Sequence, residues 1–171
     1  MGNATLRDGD TVFLYRVAGV AVSEDRVLLH RSEHDEFWAL PGGRIQVGET
    51  AADALAREMR EETGTDVAVG ELLWVVENFF EHYPLDQPPD PSVGTAHHEI
   101  GLYLKMDLPP HLTDTTGFAG REAAGTAHEF ALEFRWFGRA ELSDLDVRPV
   151  CMRELLTQPL PDGVPHVVDV G

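Results

Sequence analysis

The sequence predicts an α/β protein in which a mixed sheet lies between helices. Three observations carry this. Apolar, β-rich stretches occur both before and after a sharply delimited central helix, a second helix falls near the end, and no repeat or linker interrupts the series. Strands and helices interleaved in this way bury one face of each only by layering.

Taken in order, Thr11 to Val22 is apolar and β-rich, Ser23-Glu24-Asp25 turns the chain, and Arg26 to Arg31 resumes it around Val27-Leu28-Leu29, which is a hairpin pattern. Thr50 followed by Asp53 reads as a capping box and Gly64 as a left-handed stop, bounding a helix at Ala51 to Thr63. Projected at about 100° per residue, Ala52, Leu55, Ala56 and Met59 form its apolar stripe, with Glu58, Glu61 and Glu62 along one flank. Val67 to Glu81, centred on Leu72 to Val76, is one long strand or two shorter ones broken near Gly70. Pro84, Pro88, Pro89 and Pro91 make the next stretch a loop. His97 to Met106 is a strand in which Ile100, Leu102 and Leu104 alternate with small or polar positions. Pro109 to Thr126, poor in apolar residues, reads as a long mobile loop. Glu133 to Phe137 follows as a strand, Ala140 to Leu145 as a short helical turn, and Arg148 or Pro149 to Leu156 as a closing helix with Pro149 in its first turn. The whole, 1–171, is expected to be one domain with a core of about 10–157, and 158–171 to be a tail rich in Pro and Gly.

A length of 171 residues is enough to bury a real core, and 25% charged with 43% hydrophobic residues is the balance of a globular protein. No apolar run reaches bilayer length and the first residues lack a secretory pattern, so no membrane association and a cytoplasmic location are the expectation. A formal charge of -17 repels polyanions, which argues against a nucleic acid polymer as partner. A small phosphorylated substrate is compatible if a cation screens it. Cys151 is the single cysteine, which excludes an intrachain disulfide and suits a packed side chain better than a nucleophile. The sequence leaves a homodimer open.

The chemistry concentrates in one segment. Glu58, Glu61 and Glu62 are three and four residues apart and share a helix face, where like charges cost roughly 0.2–0.5 kcal/mol per pair. A hard divalent ion reverses that sign, since Mg²⁺ takes oxygen ligands at about 2.1 Å. A solvated acidic face is the alternative, and the preceding residues argue against it. Leu40-Pro41-Gly42-Gly43 lets the backbone turn tightly and approach a ligand, then come five residues, Glu49, seven residues, and Arg57-Glu58-Met59-Arg60-Glu61-Glu62-Thr63-Gly64. This run resembles the signature of the Nudix hydrolases, with every fixed position filled and one departure, Thr65 where the family carries an aliphatic residue.

The resemblance implies a Nudix fold, an α/β/α sandwich with a mixed central sheet, and cleavage of a diphosphate linkage in a nucleoside diphosphate derivative or related small molecule. It implies Mg²⁺ as cofactor, with Mn²⁺ as a substitute, and metal ligation by Glu58, Glu61, Glu62 and the Gly43 carbonyl. Glu49 and Arg57 would brace loop against helix, and Gly64 would end it. Glu99, on a strand beside small Gly101, is the further acid expected in the site as ligand or base. Either Glu61 or Glu99 would take the proton of the attacking water. Arg31 and Arg44, with Arg16, are candidates for phosphate contact, and Tyr83 for substrate contact. His97 and His98 do not read as a zinc pair, because strand neighbours point to opposite faces. A catalytically silent Nudix-fold module that senses a nucleotide is the competing function, and an isomerase needing an active-site cysteine is a further one, for which Cys151 falls late in the chain.

Overall fold

In a computed structural model, which describes residues 2–82, 95–124 and 128–171, the first strands are β1 (Thr5–Asp8), β2 (Thr11–Val20), β3 (Val22–Ser23), β4 (Arg26–Ser32), β5 (Trp38–Ala39) and β6 (Gly42–Arg44). Helix α1 (Ala51–Thr63) follows, then the long strands β7 (Ala68–His82) and β8 (Thr95–Asp107). A short helix α2 (Pro110–Thr113), β9 (Gly117–Ala124), β10 (His128–Gly138), a 3-10 turn at Arg139–Asp144, β11 (Val147–Arg148), α3 (Val150–Leu155) and β12 (His166–Asp169) complete it. One sheet has the order β1-β2-β8-β7-β12 with β6 also on β2, and the other β11-β5-β4-β10-β9 with β3 on β4. Both are mixed: β2 runs parallel to β8, β12 to β7 and β11 to β5, while the remaining pairs are antiparallel.

Alternation along the strands divides the core into two layers. Val17, Leu28 and Leu104 join Leu55 and Met59 of α1, whereas their neighbours Ala18, Leu29 and Tyr103 join Met152 and Leu156 at α3. Successive side chains leave a strand on opposite faces, so strands apolar at consecutive positions are enclosed by a helix on each side. The fold is the expected α/β/α sandwich, with the central layer split into two sheets.

The helix bounds are as read from the sequence. Thr50 accepts from the Asp53 N–H at 3.2 Å, and Gly64, at φ 69°, donates to the Arg60 carbonyl at 2.9 Å. The apolar stripe differs: Ala54, Leu55, Met59 and Glu62 are the buried positions and Ala52 is exposed. The helix is rotated about its axis because β6, β9 and β2 all pack against it, which carries Glu62 from the flank into the protein.

Three segments depart from expectation. The hairpin is confined to β3 and β4, turning through Glu24 at φ 56°. The longer strand before it enters the other sheet, where both faces are covered. The stretch read as a mobile loop holds α2 and β9. Gly120 in β9 lies where a Cβ would come within 2.6 Å of the Phe134 ring and 2.8 Å of the Glu62 carbonyl, so its small residues let α1 sit directly on the strand. The residues read as a tail contain β12, whose Asp169 accepts hydrogen bonds from the N–H groups of Cys151 at 2.6 Å and Gly171 at 3.0 Å. Trp38 is core, meeting Phe137 edge-on at 4.7 Å. Among the described residues no helix is long and apolar enough to cross a membrane.

Candidate active site

The glycine turn and α1 are fitted to one another. Gly42 adopts φ 147°, and a Cβ there would meet the Val17 carbonyl on β2. At Gly43 a Cβ would land on the Glu58 carboxylate. Any larger residue at this turn would displace the acid, so the second glycine provides space for Glu58.

Arg57 ties the loop to the helix. Its Nε and Nη2 donate to the two oxygens of Glu49 at 2.9 and 3.0 Å, and Nη2 also reaches the Arg44 carbonyl at 3.1 Å. Glu49 in turn accepts from the Gln46 N–H at 3.1 Å. The Arg57 hydrogen bonds hold the Glu49 carboxyl below its usual range, and Glu49 pushes the guanidinium further up. Nη1 of Arg57 donates to Glu58 at 2.9 Å and to Glu61 at 3.1 Å.

The motif glutamates occupy three environments. Glu61 stands at the rim with 60% of its side chain exposed. Glu58 is partly buried, and burial raises its pKa in spite of Arg57. Glu62 is buried, and burial followed by the charges of Glu58 and Glu122 pushes its pKa up to about 8. Its Oε2 has no hydrogen-bond partner among the described residues. Such an acid is costly to ionise in isolation. A hard cation offsets that cost, so the partnerless oxygen and the space kept for Glu58 both fit a divalent metal. Among the described residues no three acid, His or Cys side chains already converge as a ligand set, because Glu58 and Glu61 are drawn onto Arg57.

Glu99 is buried on β8, opposite Asn78 of β7 and Leu14 of β2. Arg16 lies in register with Gly101 and donates to the Gly42 carbonyl at 3.2 Å. Burial lowers the pKa of Arg16, but the charges of Glu99 first, then Tyr103, Glu62 and Glu58, outweigh it and raise it. Arg16 is thus the cation common to Glu99 and the motif acids. Arg31 is engaged by Glu133 at 2.8 Å and lies 4.4 Å over the Trp38 ring, while Arg44 is exposed. Tyr83 lies outside the described residues. His97 stacks on Phe80 and His98 on Phe79, on opposite faces of β8. One site residue was not singled out from sequence: His30, whose Nδ1 lies 4.0 Å from Glu62 Oε2. Its spacing of two from core Leu28 was the signal available.

With this geometry in place, residues 13–158 match the model of the NUDIX domain. The chain belongs to the Nudix family. Over 106 residues it is 33% identical to the putative ADP-ribose pyrophosphatase YjhB of Bacillus subtilis, a match covering 62% of this chain and 45% of that protein. It is 42% identical over 87 residues to the 8-oxo-dGTP diphosphatase of Proteus vulgaris, covering 51% of this chain and 66% of the relative. A Nudix hydrolase of Nitrosomonas europaea shares the fold with a TM-score of 0.53 and 19% identity, covering 91% of this chain and 77% of that one. The Nudix domain here therefore spans less than half the length of the first of these curated relatives.

Proposed function

We propose that this Nudix protein is a Mg²⁺-dependent pyrophosphohydrolase acting on a nucleoside diphosphate derivative or related small molecule. The observation that carries the reading is the buried, partnerless oxygen of Glu62 beside Glu58, whose place is secured by a glycine. Glu58, Glu61, Glu62 and the Gly43 carbonyl would hold the ion, which Mn²⁺ could replace. When bound, it neutralises diphosphate charge and lowers the pKa of a coordinated water.

The chain's own residues supply the rest. Arg57 and Glu49 keep loop and helix in fixed relation, so that the Gly43 carbonyl and Glu58 stay together. Arg16 offers positive charge among the acids, where it would otherwise be costly to bring a phosphorylated molecule into a chain of net charge -17. Glu61, water-exposed, and Glu99, enclosed on β8, are the two carboxylates proposed to accept the water's proton. Separate Gln substitutions assayed at saturating Mn²⁺, where a weakened ligand is refilled, assign the role: loss of the base then removes the acidic limb of the rate profile, whereas loss of a ligand alone leaves it.

Two competing functions are less well supported. A silent nucleotide sensor has no need of the full glutamate set. Cys151, with its pKa pushed up to about 12 by burial and Asp169, is unsuited to an active-site cysteine.

The test is a substrate panel with Mg²⁺ or Mn²⁺, read as released phosphate after phosphatase treatment. ADP-ribose and oxidised dGTP come first, as the compounds named for the relatives. Turnover that disappears with chelator and in Glu62→Gln supports the reading. No turnover across the panel with either ion, or a Glu62→Gln variant as active as wild type, overturns it.

A further inference from the structure

Glu62 faces a residue outside the Nudix motif. His30 lies on β4, where the alternation that sends Leu29 to the α3 side turns Leu28 and His30 towards α1. Its ring is buried and rests against Phe134 of β10, with centroids 5.3 Å apart. Nδ1 stands 4.0 Å from Glu62 Oε2, and neither atom has a hydrogen-bond partner among the described residues.

Two polar atoms buried face to face without a bond each forgo the hydrogen bond they would make with water, which is costly. The gap exceeds a hydrogen bond by only about 1 Å, which a small rotation of either side chain removes. The ring is enclosed, and in its neutral form it carries a single N–H that can sit at Nδ1, facing Glu62. A neutral donor can bind a carboxylate without competing with a cation for its charge.

The geometry points to His30 as a positioning residue: its Nδ1–H holds Oε2 of Glu62 so that Oε1 is presented to the divalent cation. The inference rests on the cation-dependent reading above and adds to it a residue from the opposite sheet. The same bond would restrict the rotation of Glu62 before the ion arrives, which lowers the entropy lost on binding. Hydrogen-bond partners that orient metal ligands typically alter metal affinity 10- to 100-fold, a range of roughly that size being expected here.

The test measures Mn²⁺ binding to the substrate-free protein by calorimetry and by the Mn²⁺ electron-spin signal. His30→Leu should weaken binding roughly 10- to 100-fold. His30→Asn, which retains an N–H donor near the place of Nδ1, should recover most of the loss. In a Glu62→Gln background, His30→Leu should add little further loss, because residues acting through one another are not additive. Thermal melts accompany each variant. If His30→Leu does not fold, His30→Met, which also lacks an N–H donor, replaces it with the same weakening expected. Wild-type affinity in the folded donor-less variant overturns the inference, as does an undiminished effect in the Glu62→Gln background. Failure of the wild-type protein to bind Mn²⁺ is a different result, which overturns the metal reading and this inference with it.

Discussion

Arg57 grips both oxygens of Glu49, at 2.9 and 3.0 Å, across the junction between the glycine loop and α1. The pair is mostly enclosed, with side chains 21% and 16% exposed. Removing one partner leaves the other partly buried and unpaired. Arg57→Ala should cost about 1.5–3 kcal/mol in stability, measured by urea unfolding. Arg57→Lys should recover only part of this, since a lysine cannot make the two-pronged contact. A variant as stable as wild type would remove the brace from the account.

Glu49 also sets an acid dependence. Its folded pKa is depressed by Arg57, so its contribution is present above the unfolded value near 4.5 and lost as pH falls through the folded pKa. Glu49→Gln should flatten the acid limb of the stability curve, as followed by thermal melts at decreasing pH.

Glu62 has the opposite sign. Its folded pKa is raised from 4.5 to about 8, so the metal-free folded state binds more protons than the unfolded chain between those values. Stability in chelator should therefore decline as pH rises through this window. Added Mg²⁺ should reverse the decline, and Glu62→Gln should abolish it. A melting temperature that does not vary with pH in chelator would count against the buried placement of this acid.

Gly43→Ala and Gly120→Ala should separate function from packing. The first introduces a methyl group onto the Glu58 carboxylate, so turnover and Mn²⁺ affinity should both fall at least about tenfold, a change of about 1.4 kcal/mol. The second forces the Phe134 ring and the Glu62 carbonyl apart. It should destabilise by about 1–3 kcal/mol, the usual cost of overpacking, and differential scanning calorimetry reads it.

Asp169→Ala tests whether β12 belongs to the stable fold. Its carboxylate accepts from the first turn of α3 at Cys151 and from Gly171. Loss of both acceptors should cost about 1–3 kcal/mol, and faster amide exchange in α3 and β12 would locate the effect.

By itself the sequence determined α1 from end to end, because Thr50 and Gly64 act through backbone groups a few residues away. It determined the Arg57 and Glu49 partnership as well, a contact between residues eight apart and linked by a short loop. It did not disclose β9 or β12. The first is built mostly of glycine, alanine and charged residues and the second is only four residues long in a stretch rich in Pro and Gly, and they are strands by pairing with β10 and β7, with Gly120 against α1 and Asp169 on α3, none of which is local information. The tertiary structure alone decided the rotation of α1 that buries Glu62, the division of β2 and β4 between two sheets, the approach of His30 to Glu62 and the placing of Arg16 within the field of Glu99 and the motif acids. Burial and electrostatic proximity depend on distances across the fold, whereas capping and turn geometry depend on distances along the chain.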